Sequence, residues 1–177
     1  MRYLILLFLA TPALAECPAP PDHGPAMTTL MERIREAPDQ RTARGISQQL
    51  WELWATAPDE AAQELLDEGM RRRASYDFLG AIEVLDRLVD YCPGYAEGWN
   101  QRAFARFLRQ EYSEALVDLD QALALDPDHI AALAGKALTL IGLERNEEAQ
   151  EVLRAAVALN PWLSERALLD EPEGEEI

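Results

Sequence analysis

Two cysteines, two histidines and one lysine, Lys136, are all that this 177-residue chain holds of three chemically versatile residue types. The only thiol and imidazole groups are Cys17, Cys92, His23 and His129, and no two of them stand at a metal-ligand spacing, so no metal site is expected. Neither histidine has a Ser, Cys or Asp neighbour arranged as nucleophile and base, and no Gly-rich phosphate loop occurs. The sequence is therefore read as a non-enzyme without a cofactor. The paired acids Asp118 and Asp120 read as solvent-face residues of a helix. Basic groups are scarce as well. Sixteen Lys and Arg face 32 Asp and Glu, and at a net charge of −16 a phosphate backbone is repelled, so nucleic acid is not the expected partner. No apolar run reaches the ~20 residues that cross a bilayer.

What is there begins with an address. Arg2 supplies a positive start, Tyr3 to Ala10 is an apolar run, and Ala13, Leu14 and Ala15 complete a small-residue cleavage pattern. Residues 1–15 are thus expected to be a signal peptide cut after Ala15, which places the chain in the periplasm or outside the cell, with no membrane span after cleavage. Lipidation at Cys17 is the lesser alternative, because Glu16 stands where that signal needs a small residue. In an oxidising compartment two cysteines can persist as a bridge. Cys17 lies in a Pro-rich leader (16–25) and Cys92 in a turn before Pro93 and Gly94, so a disulfide between them is one reading and two free thiols the other.

The strongest signal is a period. Pro93, Pro127 and Pro161 are 34 residues apart, and so are Ala81, Ala115 and Ala149; Gly69, Ala103 and Ala137; and Leu85, Leu119 and Leu153. Each unit reads as two helices. In the second, Glu97 to Arg109 forms one, Gln110 and Glu111 the turn, and Tyr112 to Leu125 the other. Small residues at Ala103 and Ala115 let the backbones approach, and the proline stops one unit and opens the next. A single pair cannot bury its apolar face, whereas a stack makes a continuous core.

These columns, with Trp99, Ala103, Tyr112, Ala115, Leu119, Ala122 and Pro127 in the middle unit, resemble the tetratricopeptide repeat family. The resemblance covers three units, 62–95, 96–129 and 130–163, and implies an all-α solenoid of antiparallel helix pairs. Residues 26–57 are expected to form a degenerate repeat or an N-terminal capping pair. Residues 164–177 are expected to form a short capping helix and an acidic tail.

The resemblance implies a non-catalytic adaptor or chaperone-like scaffold whose first helices line a groove for a peptide or partner helix. Carried over residue by residue, the groove positions are Gln63, Leu66, Met70 and Arg73; Glu97, Asn100, Phe104 and Phe107; and Ala131, Ala134, Leu138 and Ile141. The family's clamp for a C-terminal carboxylate is not expected, because Ala131 and Gly135 stand where it needs cations. The last helix could instead fold over Leu138 and Ile141. Arg72, Arg106 and Arg109, with Arg71, Arg73 and Arg102, could form a basic strip for an acidic partner, or be solvated and paired with nearby acids. A further alternative is structural: a homo-oligomer that self-associates through Trp51, Trp54 or the groove.

Overall fold

The computed structural model describes residues 16–170, so the expected signal peptide and the acidic tail from residue 171 lie outside the described residues. Within them, eight α-helices and no strand follow one another: α1 (Gly24–Arg35), α2 (Gln40–Trp54), α3 (Glu60–Ala74), α4 (Phe78–Tyr91), α5 (Ala96–Leu108), α6 (Tyr112–Leu125), α7 (Ile130–Gly142) and α8 (Asn146–Leu159). A short 3-10 helix, Ser164–Leu168, ends the series in the stretch where a short capping helix was expected. Aspartates open three of these elements. Asp39, Asp59 and Asp77 accept the backbone N–H of Thr42, Ala62 and Gly80, which satisfies a donor that a helix start leaves free. The bond from the Ala62 N–H, followed by one from the Tyr91 hydroxyl, holds the Asp59 carboxyl below the usual carboxylate range.

The 34-residue columns become the interior. Ala81, Ala115 and Ala149 are at most 1% exposed, and Leu85, Leu119 and Leu153 at most 2%. Helices α3 and α4, α5 and α6, and α7 and α8 pack as antiparallel pairs, and α4 meets α5 as α6 meets α7. The small-residue column is needed for the approach: a Cβ on Gly69 would lie 2.6 Å from Leu85 Cγ.

Each pair turns the same way. Tyr76, Gln110 and Glu144, again 34 apart, have φ of 63°, 63° and 62°, in the left-handed region. The next N–H returns to the last helical turn, from Asp77 to Arg72, from Glu111 to Arg106 and from Arg145 to Leu140. This is the helix ending that glycine fits best. Relief of the left-handed strain, about 1–2 kcal/mol, less the greater freedom glycine has when unfolded, leaves a gain of about 0.5–1 kcal/mol for Gln110→Gly. Urea unfolding followed by helical circular dichroism should show a higher midpoint for the variant; a lower one would refute the argument.

The N-terminal pair does not extend the stack. Leu30, Met31, Ile34, Ile46 and Leu50 are buried with Ile130, and Leu159, Trp162 and Leu163 pack against them. Helices α1 and α2 therefore lie along the edge formed by the turns between repeats, capping that edge rather than adding a layer. One repeat position supplies much of the contact. Tyr95 donates its hydroxyl to the Trp54 carbonyl (2.7 Å), His129 stacks on the Trp54 ring with centroids 4.3 Å apart, and Leu163 joins the same apolar cluster. Trp54 also donates its indole N–H to Asp126 (2.7 Å). At the near end of this edge a disulfide joins Cys17 to Cys92, at the end of α4. The N-terminal strap, from Cys17 through α1 and α2, thus touches all three turns between and after the repeats.

Candidate functional site

Helices α3, α5 and α7 stand side by side and leave a groove, walled by Trp51 of α2 on the strap and by Leu163, Ser164 and Glu165 after α8. The cavity in it holds about 420 Å³. Of the positions expected to line it, Arg73, Asn100, Phe104, Phe107, Ala131, Ala134 and Leu138 do so together. Phe104 is 42% exposed, Phe107 and Leu138 are half-buried, and Phe107 leans on Tyr112 at a centroid distance of 5.5 Å.

The remaining positions are elsewhere. Leu66 is fully buried in the core of the first repeat with Leu85, Tyr95 and Ala105, and Met70 packs against the same cluster. Gln63 accepts the Ala57 N–H and donates to Asp67, which ties the loop before α3. Ile141 stays partly exposed outside the cavity. The first helix of the first repeat thus gives the groove only its last turn, because Tyr95 and the α2–α3 loop occupy the rest of that face. The segment after α8 closes one rim beside Leu138 and does not bury Ile141.

Beneath the floor lies a carboxylate. Glu97, 1% exposed, accepts from Asn100 Nδ2 (2.8 Å), Gln101 Nε2 (2.6 Å) and His129 Nε2 (2.9 Å). His129 Nδ1 accepts the Ala132 N–H at 3.3 Å, so the ring proton sits on Nε2 and points at Glu97. The groove position assigned to Glu97 therefore belongs to the support of the site. With its amide nitrogen held by Glu97, the 5% exposed Gln101 has a side-chain oxygen with no hydrogen-bond partner. The hydroxyl of Thr139, 0% exposed, lacks one too, and so does Arg73 Nε. All three residues line the groove. Neither Gln101 nor Thr139 stood out in the sequence, where Gln101 is one of several polar residues of α5 and Thr139 stands among apolar neighbours in α7.

Arg73 differs from the other arginines. Its guanidinium sits 4.2 Å above the Phe104 ring centroid, and burial lowers its pKa, with the Glu97 charge opposing the shift. The other arginines of the possible strip are paired with nearby acids, the second of its two readings. Arg71 and Arg72 bind Glu68, and Arg72 also reaches Asp77. Arg109 binds Glu111 at 2.6 Å. Arg102 and Arg106 converge on Asp118, with Asp86 as a second partner. Asp118 is itself a correction, being fully buried rather than on a solvent face. Burial alone would lower the Arg102 guanidinium, but the hydrogen bonds and charges of Asp118 and Asp86 hold it above its ordinary value.

No cluster of His, Cys, Asp or Glu among the described residues could hold a metal, and no described helix is long and apolar enough to cross a membrane.

Stacked antiparallel helix pairs with a groove on their first helices define the class of protein. The family model described as "Tetratricopeptide repeat" matches residues 106–162. A TPR repeat-containing protein of Rhizobium etli is 37% identical over 60 residues, which are 34% of this chain and 29% of that protein. This chain thus spans less than a third of that curated relative's length. Among solved structures, the Arabidopsis OM64 TPR domain superposes with a TM-score of 0.60 at 19% identity, covering 62% of this chain and 90% of that one. The second TPR domain of human RPAP3, in complex with an HSP70 peptide, gives 0.58 at 25% identity, covering 60% and 89%. The family match and the named relative support the tetratricopeptide repeat family, and the fold is that of its helix pairs. Modules of this kind are generally non-catalytic and serve protein interaction.

Proposed function

We propose that this chain is an exported, non-catalytic adaptor that holds a segment of a partner protein in the groove of α3, α5 and α7. The observation that carries the reading is the groove itself: a cavity of about 420 Å³ with the half-exposed Phe104 and Phe107 rings in its wall. That volume lies within the usual ~300–1,000 Å³ of ligand pockets, and aromatic side chains supply much of the energy at protein interfaces. The RPAP3 domain of the same fold, in complex with an HSP70 peptide, supports the peptide mode. Export is supported by the pattern of residues 1–15 and by the Cys17–Cys92 bridge, which suits an oxidising compartment.

A photo-crosslinking residue at Phe104, in cells that make the chain natively, tests both halves. The expected product is an adduct with a second polypeptide, on protein that begins at Glu16 and is released with the envelope fraction. Adducts only between copies of this chain would replace the adaptor by the self-associating module. Absence of any adduct would remove the groove reading, and an uncut chain in the cytosol would remove export.

A further inference from the structure

Among the described residues, four buried polar side-chain atoms lack a hydrogen-bond partner, and three of them belong to residues that line the groove: Arg73 Nε, Gln101 Oε1 and Thr139 Oγ1. Buried polar groups are paired in the great majority of native structures, so such a cluster calls for a partner the chain does not contain. We propose that this partner is an extended peptide segment of another protein carrying an acidic side chain next to an apolar one. The carboxylate sits on Arg73, the apolar group lies against Phe104 and Phe107, and main-chain atoms meet Gln101 and Thr139. The proposal rests on the groove being the binding site and specifies what the site selects.

The chemistry follows from each group. Arg73 supplies the only positive charge in the wall of the cavity, and none of the ion pairs of the described residues includes it. Glu97 lies nearby and accepts from Asn100, Gln101 and His129 but from no atom of Arg73, so it lowers the cost of holding Arg73 charged without occupying its donors. The aromatic face of Phe104 fixes the guanidinium plane and leaves its edge for a planar carboxylate. Gln101 presents an oxygen, which takes an N–H, and the Thr139 hydroxyl pairs with a carbonyl; a peptide group supplies both.

One cation suits one carboxylate. A C-terminal residue with an acidic side chain would bring two, and the negative Glu165 on the opposite rim disfavours the second. The site therefore fits an acidic side chain within a segment better than an acidic residue at a chain end, and a leucine-ended probe tests a chain end with a single carboxylate.

Calorimetry on the disulfide-intact mature chain tests this. The probes are a blocked pentapeptide with a central aspartate followed by leucine, its asparagine analogue, and a leucine-ended peptide whose only acid is a free C-terminal carboxylate. The aspartate probe should bind about 10-fold or more tighter than the asparagine analogue, and Arg73→Met should erase that difference. The melting curve of Arg73→Met should match the parent's. Gln101→Leu and Thr139→Val should weaken both blocked probes several-fold.

Equal binding of the two blocked probes, or a preference that survives Arg73→Met, overturns acid selection and leaves the groove reading intact. Tighter binding of the free-carboxylate probe overturns the choice of a side chain. If a chain ending at Asp170 binds the aspartate probe about 10-fold tighter than the full chain, the occupant is this chain's own acidic segment, not a partner. Dimers that Arg73→Met abolishes would make it a second copy. Failure of every probe overturns the proposal, and the Phe104 crosslink then tells whether the groove reading falls with it.

Discussion

Replacing Asp118 by alanine is expected to cost the fold about 3–5 kcal/mol, which is large against a total stability of ~5–15 kcal/mol. Its carboxylate is fully buried and accepts from Arg102 Nε (2.9 Å), Arg102 Nη2 (2.6 Å) and Arg106 Nη1 (2.9 Å). Removing it leaves two guanidinium groups, with side chains only 11% and 19% exposed, facing a hole. Asp86 still holds Arg102 at 2.7 Å but reaches Arg106 only at 3.8 Å, so the first charge keeps a partner and the second largely loses one. Asp118→Asn should lose less, since it keeps the volume and one acceptor. Two residues on, Asp120 pairs with Lys136 at the surface, and Asp120→Ala should cost at most about 1 kcal/mol. Urea unfolding of the three variants decides the matter. A loss for Asp118→Ala as small as that for Asp120→Ala would mean that the two arginines simply turn to water.

The same residue shows how far a period can be read. Asp118 shares its column with Val84 and Val152, and Val84 is 3% exposed, so the repeat itself marks the position as interior. Helix spacing agrees, since Asp118 lies on the stripe of Ala115, Leu119 and Ala122 and about half a turn from Asp120. The columns of Ala81 and Leu85 were legible because stacking imposes one environment on each repeat, and that made the fold class readable. The strap was not legible, since α1 and α2 carry amphipathic spacing but nothing in that spacing says which surface they meet. A signal existed in Tyr95, His129 and Leu163, a large residue recurring just after the ends of α4, α6 and α8, which is where Trp54 and its neighbours dock. In the groove, Phe104 and Phe107 were readable from the family's columns, whereas Leu66 was not, because Tyr95 and Ala105 close over it. Gln101 and Thr139 became visible only when Glu97 was seen to take the amide of the one and tertiary packing to enclose the other.

Loss of the Cys17–Cys92 bridge should remove up to about 4 kcal/mol, because it closes 75 residues of chain and so restricts the unfolded state strongly in the chain-entropy model. For a chain of this size that corresponds to a fall in melting temperature of roughly 8–16 °C. The double variant Cys17→Ser/Cys92→Ser is the clean comparison, as it leaves no free thiol to mispair. The folded state suffers as well. Cys92 is 1% exposed at the end of α4, Cys17 packs against the same core cluster, and Pro20 and Pro21 of the leader lie near Trp54 and Tyr95. Without the bridge, residues 16–23 are held only by these contacts, and hydrogen exchange should quicken there before it does in α5 or α7. Thiol titration of the natively produced protein under denaturing, non-reducing conditions should find no free cysteine. Two titrating thiols would show that the native protein lacks the bridge, and a melting temperature unchanged in the double variant would show that the strap needs no tether.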